Sequence, residues 1–275
     1  MRLGRLVGGF LLGAVLCVGP ADAQALRARS TEYLTVAGAD DVRATWVNPA
    51  GLARVLEASI MAEAVVDRVP EVALAQYSLG LNSRGFSVAY ARDRAGSTAA
   101  VSLTRFALGL PFGRATAGIG VTLFGAAGRG KGVDVGLGYR LTRAVDVAAA
   151  VRNLRRPSAR GVQQPIVAVA GARWRLVPGL AAIEAEAVVA DSGAGFGQPR
   201  YHGMLRITRR GQSPIHLFGG VLLDRSRIEQ WVLGLAVGSP GWLGIVGGAS
   251  RANGLERPDR FSVTGVASHR AGAAR

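Results

Sequence analysis

Fourteen segments of about ten residues, each alternating between apolar and polar or small side chains, fill the sequence from Ala58 to His269. Alternation with a period of two predicts β-strands. Their length exceeds that of an ordinary globular strand and suits a tilted strand that crosses a bilayer. The predicted strands are Ala58–Asp67, Val72–Leu81, Phe86–Arg92, Ala99–Leu110, Ala115–Ala126, Val133–Leu141, Val145–Asn153, Pro165–Val177, Leu180–Ala190, Tyr201–Arg209, Pro214–Asp224, Ile228–Val237, Trp242–Arg251 and Phe261–His269.

The connectors between these segments alternate in length. Short ones such as Asn82–Gly85 and Gly238–Gly241 follow the even strands, and longer, more charged ones such as Leu154–Gln164 follow most of the odd strands. Outer-membrane barrels have short periplasmic turns and longer external loops, whereas a soluble sandwich gives no reason for this alternation. We therefore predict an all-β fold, a closed antiparallel transmembrane β-barrel of about 14 strands over residues 57–270, with a short tail at 271–275.

The strands on either side of the turn Pro178-Gly179 are apolar on one face and charged on the other. A two-residue hairpin places Arg173 opposite Glu184 and leaves Arg175 without a direct cross-strand carboxylate. An unpaired guanidinium suits a carboxylate or phosphate head group, and a structural charge ladder is the alternative. The candidate ligand contacts in the lumen are Arg173, Arg175, Glu184, Glu186 and Arg206.

Residues 1–23 have the form of a secretory signal peptide. An apolar run from Leu6 to Val18 follows two arginines, and Ala21-Asp22-Ala23 has the small-x-small form that signal peptidase cuts. Cleavage there gives a mature chain that begins at Gln24 and lacks cysteine, because Cys17 is the only one. Together with the barrel pattern, the leader predicts that the chain is exported to the outer membrane.

The stretch ATWVNPAGLARV, from Ala44 to Val55, does not alternate. Pro49 disfavours the α region in the residue before it, so a helix arriving from the preceding segment is predicted to stop near Val47. Asn48 is then a suitable N-cap and Pro49 a suitable first residue of a second short helical turn. The segment is predicted to be a broken helix and not a lipid-facing strand.

This stretch and the two aspartates before it resemble the N-terminal signature of FadL-like outer-membrane transporters and of the related PorV/PorQ proteins. The matching residues are Asp40, Asp41, Asn48, Pro49, Ala50, Gly51 and Leu52. The resemblance implies a fourteen-strand barrel in which residues 24–56 pack inside as a plug, or hatch. A FadL-like protein would passively transport hydrophobic or anionic amphipathic small molecules. A PorV/PorQ-like barrel would instead act as a non-transporting carrier or scaffold for secreted proteins.

The chain is strongly basic, with a net charge of +15 and Lys131 as its only lysine. For an exported chain, this charge favours outer-membrane lipid, lipopolysaccharide or anionic small molecules over nucleic acid. Secretion-system proteins are the partners that the scaffold alternative implies. Aromatic residues on the strands, among them Trp174, Phe218 and Trp242, could form interfacial girdles, with ordinary packing as the alternative.

The sequence favours neither an enzyme nor a cofactor. Gly125–Lys131 matches the start of a phosphate-binding loop, but Gly132 stands where Ser or Thr is needed, and an alternating strand follows instead of a helix. The three histidines are not spaced as metal ligands, and no nucleophile elbow is present. We predict no catalytic residues, no metal site and no cofactor. A soluble periplasmic β protein is a third, weaker hypothesis.

Overall fold

The computed structural model describes residues 33–269, apart from 69–70, 95–98, 192, 194, 212 and 239–240. Within this part of the chain, fourteen strands form one closed antiparallel barrel, which confirms the predicted architecture. The barrel strands are β1 (Ala58–Asp67), β2 (Ala73–Ser83), β3 (Phe86–Asp93), β4 (Val101–Phe112), β5 (Ala115–Ala126), β6 (Lys131–Arg140), β7 (Val145–Arg152), β8 (Ile166–Val177), β9 (Ala181–Asp191), β10 (Arg200–Arg209), β11 (Ile215–Asp224), β12 (Arg227–Val237), β13 (Trp242–Ser250) and β14 (Arg260–His269).

The barrel closes because β1 pairs with β2 on one side and with β14 on the other. Ala58 lies opposite His269 and Asp67 lies opposite Arg260, so the first and last strands overlap along their whole length. A sheet in hydrocarbon needs this closure, because lipid offers no hydrogen-bond partner to an open edge.

Large apolar side chains cover the outside of the barrel. They include Ile60, Leu79, Leu81, Phe106, Leu108, Ile119, Leu137, Trp174, Ile183, Leu205, Leu233, Leu243 and Ile245. Soluble monomers rarely expose so large a continuous apolar surface, whereas a lipid-facing belt requires one. Most of the alternate positions, which point inward, carry small, polar or charged residues, and a few carry larger apolar ones such as Met61, Met204 and Phe218.

The two ends of the barrel differ as the connector lengths predict. At the short-turn end, β2 and β3 are joined by Arg84-Gly85, whose positive φ angles of 48° and 96° are those of a tight hairpin turn. At the long-loop end, connector 153–165 folds inward, where Ala159 is buried and Arg160 contacts Asp93 at 2.7 Å. The short elements at this end are a three-stranded sheet of residues 128–129, 158–159 and 162–163, and a 3-10 helix at Arg251–Asn253. The two-residue connector Arg225-Ser226 is an exception at this end.

The N-terminal segment of the described chain lies inside the barrel, as the resemblance implies. Helix α1 spans Ala44–Val47 and a 3-10 helix spans Pro49–Ala53, and every residue of both is buried. The break between them follows the prediction: α1 ends at Val47, and the Asn48 side chain accepts a hydrogen bond from the Ala50 N–H at 3.1 Å. We call residues 33–57 the plug segment.

Glycines on the barrel wall make room for the 3-10 helix of the plug segment. A Cβ atom added at Gly118 on β5 would overlap the backbone of Pro49 and Ala50, and one at Gly136 on β6 would overlap the Asn48 side chain. Gly118 is therefore needed because backbone approaches backbone there, and Gly136 because the Asn48 side chain lies against its α-carbon.

No helix in the described part of the chain is long and apolar enough to cross a membrane. The predicted signal peptide, residues 1–23, and the predicted tail, residues 271–275, lie outside the described residues, as do residues 24–32 of the predicted plug.

Candidate functional site

Glu184, on β9, holds the plug segment against the barrel wall. Its side chain is fully buried and accepts hydrogen bonds from the Thr35 hydroxyl at 2.6 Å and from Arg206 Nε at 2.8 Å. Arg206 also donates to the Tyr33 carbonyl at 3.0 Å. Since Thr35 and Tyr33 belong to the plug segment, one ion pair on the wall, between the buried Glu184 and the partly buried Arg206, contacts two plug residues at once.

Glu186, two residues further along β9, makes a second attachment. It accepts the Val36 N–H at 2.6 Å, and its other oxygen lies 3.2 Å from His202 Nδ1. The alternation that predicts both glutamates on the lumen face is therefore correct. Both engage the plug segment, and neither lines the cavity described below.

Asp41 and Arg43 form an ion pair within the plug segment, with the Arg43 Nε at 2.8 Å and Nη2 at 2.5 Å from the carboxylate oxygens. The same guanidinium lies over the Trp242 ring, 4.4 Å from its centroid. Burial favours the neutral form of Asp41, but Arg43 outweighs that effect and holds the pKa of this carboxyl below its usual value. The pair therefore stays charged and attaches the plug segment to β13 through a cation–π contact.

The Asn-Pro-Ala-Gly-Leu motif, residues 48–52, packs inside the barrel. The Asn48 amide donates to the carbonyls of Val36, in the plug segment, and Leu137, on β6, each at 3.2 Å. A Cβ atom at Gly51 would overlap the Ala39 carbonyl, so the motif also needs a glycine there. Pro49, Ala50, Gly51 and Leu52 are all buried in the lumen.

Arg175 has no carboxylate directly opposite it on β9, as predicted, but the expectation that its guanidinium is unpaired is wrong. Arg173 lies opposite Glu184 as predicted, but Arg175 donates a hydrogen bond to Asp146 on β7, the other neighbour of β8. The hairpin turn between β8 and β9 fixes the partners on only one side of β8, and Asp146 lies on the other side. Asp146 also lies 3.6 Å from Arg140, so it serves two arginines.

A cavity of about 550 Å³ lies between the plug segment and the wall at the short-turn end. One side is basic, the other is apolar, and Asp40 of the plug segment lies on its rim. The basic side includes Arg173, Arg175 and Arg206, and the apolar side includes Phe218, Ala236 and Trp242. Three of the five predicted ligand contacts therefore share one cavity, together with part of the predicted plug motif.

Arg173 and Arg54 are the least satisfied cations near this cavity. Arg173 lies 3.5 Å from both Asp40 and Glu184, a separation that gives attraction without a short hydrogen bond. Arg54, in the plug segment, donates to the Ala37 carbonyl. Burial lowers the pKa of Arg54, and the charges of Asp146 and Asp40 oppose that shift only in part.

Two aromatic residues of this region have a role that the sequence did not predict. Phe218 and Trp242 point into the lumen, where Tyr33 stacks on Phe218 with ring centroids 5.3 Å apart. They follow the packing alternative, while Trp174 faces outward with 55% of its surface exposed. Alternation along β11 and β13 places Phe218 and Trp242 on the inward-facing side of each strand, and this pattern could have identified both residues. Among the described residues, no group of three or more His, Cys, Asp or Glu side chains is placed to hold a metal.

Solved structures similar to this chain are outer-membrane channels. The CymD monoaromatic hydrocarbon channel matches with a TM-score of 0.50 and 12% identity, over 86% of this chain and 94% of that one. The outer membrane protein Omp33 of Acinetobacter baumannii matches with a TM-score of 0.47 and 11% identity, over 79% and 100%. The KdgM porin matches with a TM-score of 0.43 and 9% identity, over 77% and 99%. No protein-family model and no curated protein matches the chain.

The fold is that of outer-membrane β-barrels. At these identities the likeness shows the fold alone. The fourteen-strand barrel and its apolar belt place the chain in this structural class.

Proposed function

We propose that this chain is an outer-membrane channel of FadL-like type that passes anionic amphipathic small molecules passively through its lumen. Residues 24–56 act as the plug that controls passage. The observation that carries the proposal is the cavity at the short-turn end, which has arginines on one side and an apolar wall on the other.

The cavity suits the two parts of an amphipathic anion. Arg173 and Arg175 offer charge-assisted hydrogen bonds to a head group, and such bonds are stronger than those between neutral groups. Ala236 and Trp242 offer apolar surface to a tail. In outer-membrane barrels the short turns face the periplasm, so the cavity would open on the side where a transported molecule leaves.

Replacing Arg173 is expected to slow uptake of octanoate into liposomes that contain the protein. Loss of one charge-assisted hydrogen bond weakens binding about tenfold, so Arg173→Gln should lower the uptake rate by a similar factor when the octanoate concentration is low. The matched control is Arg209→Gln. Arg209 lies on β10, the strand of Arg206, but alternates to the outer face and does not line the cavity.

Equal uptake by the wild type and Arg173→Gln would argue against a transport role for the cavity. If the wild-type protein also gave no uptake above empty liposomes, a non-transporting barrel that carries secreted proteins would become the preferred function.

A further inference from the structure

An excess of positive charge is concentrated on the β6–β8 side of the cavity. The cluster consists of Arg173, Arg175 and Asp40, which line the cavity, and of Arg54, Arg140 and Asp146 behind them, with the Arg140 side chain 56% exposed. Four arginines and two aspartates leave a net charge of +2. The nearby pairs Arg206–Glu184 and Arg43–Asp41 are each neutral, and Glu57 lies on another part of the cavity lining.

Two N–H groups of this cluster lack an acceptor within the described part of the chain. They are Arg54 Nη2 and Arg173 Nε, and both atoms are buried. A buried donor without an acceptor is costly, and a charged donor more so. The Arg173 side chain lines the cavity, and Arg54 is close enough to Arg173 and Asp40 for their charges to influence it.

A ligand with a single charge would neutralise only half of this excess. A dianionic oxyanion would neutralise all of it, and a phosphate monoester carries a charge of about −1.5 to −2 at neutral pH with several strong acceptor oxygens. Guanidinium groups match such oxygens with two parallel N–H bonds. The charge count therefore distinguishes a phosphate monoester from the carboxylate or sulfate ester of the same tail.

We infer that the cavity is a binding site for dianionic head groups, with a phosphate monoester held by Arg173 and Arg175 and its second charge balanced by Arg54. The tail of the ligand lies against Ala236 and Trp242. This inference deepens the proposed function and rests on it, because it names the head group that the same cavity prefers.

The test is calorimetric titration of the detergent-solubilised full chain with hexyl phosphate and hexyl sulfate at pH 7.5. The two probes share a tail and differ by about one charge. We expect hexyl phosphate to bind about tenfold more tightly, the equivalent of one further charge-assisted hydrogen bond. Arg54→Gln should weaken hexyl phosphate more than hexyl sulfate and so remove most of this preference. Arg173→Gln should weaken both probes, and the control Arg209→Gln should change neither.

The wild-type comparison alone decides the inference, even if a variant fails to fold. Equal affinities for the two probes would overturn the dianion site and leave an anion channel standing. Binding of neither probe would overturn both the inference and the proposed function. A phosphate preference that persists in Arg54→Gln would contradict the role given to Arg54.

Discussion

Removing the plug segment is expected to turn a closed barrel into an open one. Deletion of residues 24–55 should produce a steady open-channel current in planar bilayers, where the full chain gives little. The physical reason is geometric: α1 and the 3-10 helix fill the lumen, and a fourteen-strand barrel is wider than the eight-strand barrels whose interiors side chains can fill.

The matched control is deletion of residues 24–32, which keeps the whole plug segment, residues 33–57. This variant should conduct like the full chain. Heat-dependent mobility on detergent gels and a strand-dominated circular dichroism spectrum would establish that both variants form barrels. If the longer deletion forms a barrel with unchanged conductance, the segment does not block the passage.

Replacing Glu184 is expected to have the largest effect of any single substitution. Glu184→Ala leaves the partly buried Arg206 without its carboxylate and removes the acceptor for Thr35. Breaking a fully buried ion pair by removing one partner costs about 3–5 kcal/mol, and the partial exposure of Arg206 places this loss toward the lower end of that range. The plug segment should therefore detach more readily, which would appear as flickering conductance and as faster proteolysis within residues 33–57.

The control for this substitution is Glu229→Ala at the long-loop end. Glu229 is partly exposed and lies 4.0 Å from Arg251, so its loss should change stability by less than about 1 kcal/mol. Equal protease resistance of Glu184→Ala and the wild type would show that the Glu184 attachment does not hold the plug segment in place.

Local patterns in the sequence were sufficient to predict the barrel. Alternation identified all fourteen strands, and the short turns fixed which residues face each other across each hairpin, as for Arg173 and Glu184. The break at Val47 also follows from local chemistry, because Pro49 restricts its predecessor and Asn48 can cap.

Contacts between segments far apart in the chain were beyond the same reasoning. Connector 153–165 is too long to fix the register of β7 against β8, so Asp146 could not be assigned to Arg175. Nothing local links Thr35 to Glu184, which is 149 residues away. The contacts of the plug segment with Glu184 and Glu186 join residues far apart in the chain. They determine which charged side chains in the lumen are left to bind a ligand.

The most direct test of the central claim is a reversible tether between the plug segment and the wall. The Thr45 hydroxyl on α1 and the Ser87 hydroxyl on β3 lie 2.5 Å apart, so Thr45→Cys with Ser87→Cys places two sulfur atoms near the disulfide distance of about 2.05 Å. The mature chain has no competing cysteine if the leader is removed, since Cys17 is the only one.

Octanoate uptake into liposomes is measured before and after reduction of the disulfide. Each single-cysteine variant is a control, and mass spectrometry confirms the bond. The account predicts background uptake when the tether is oxidised and recovery to the single-cysteine rate after reduction. Uptake at the same rate in the oxidised and reduced states would contradict it.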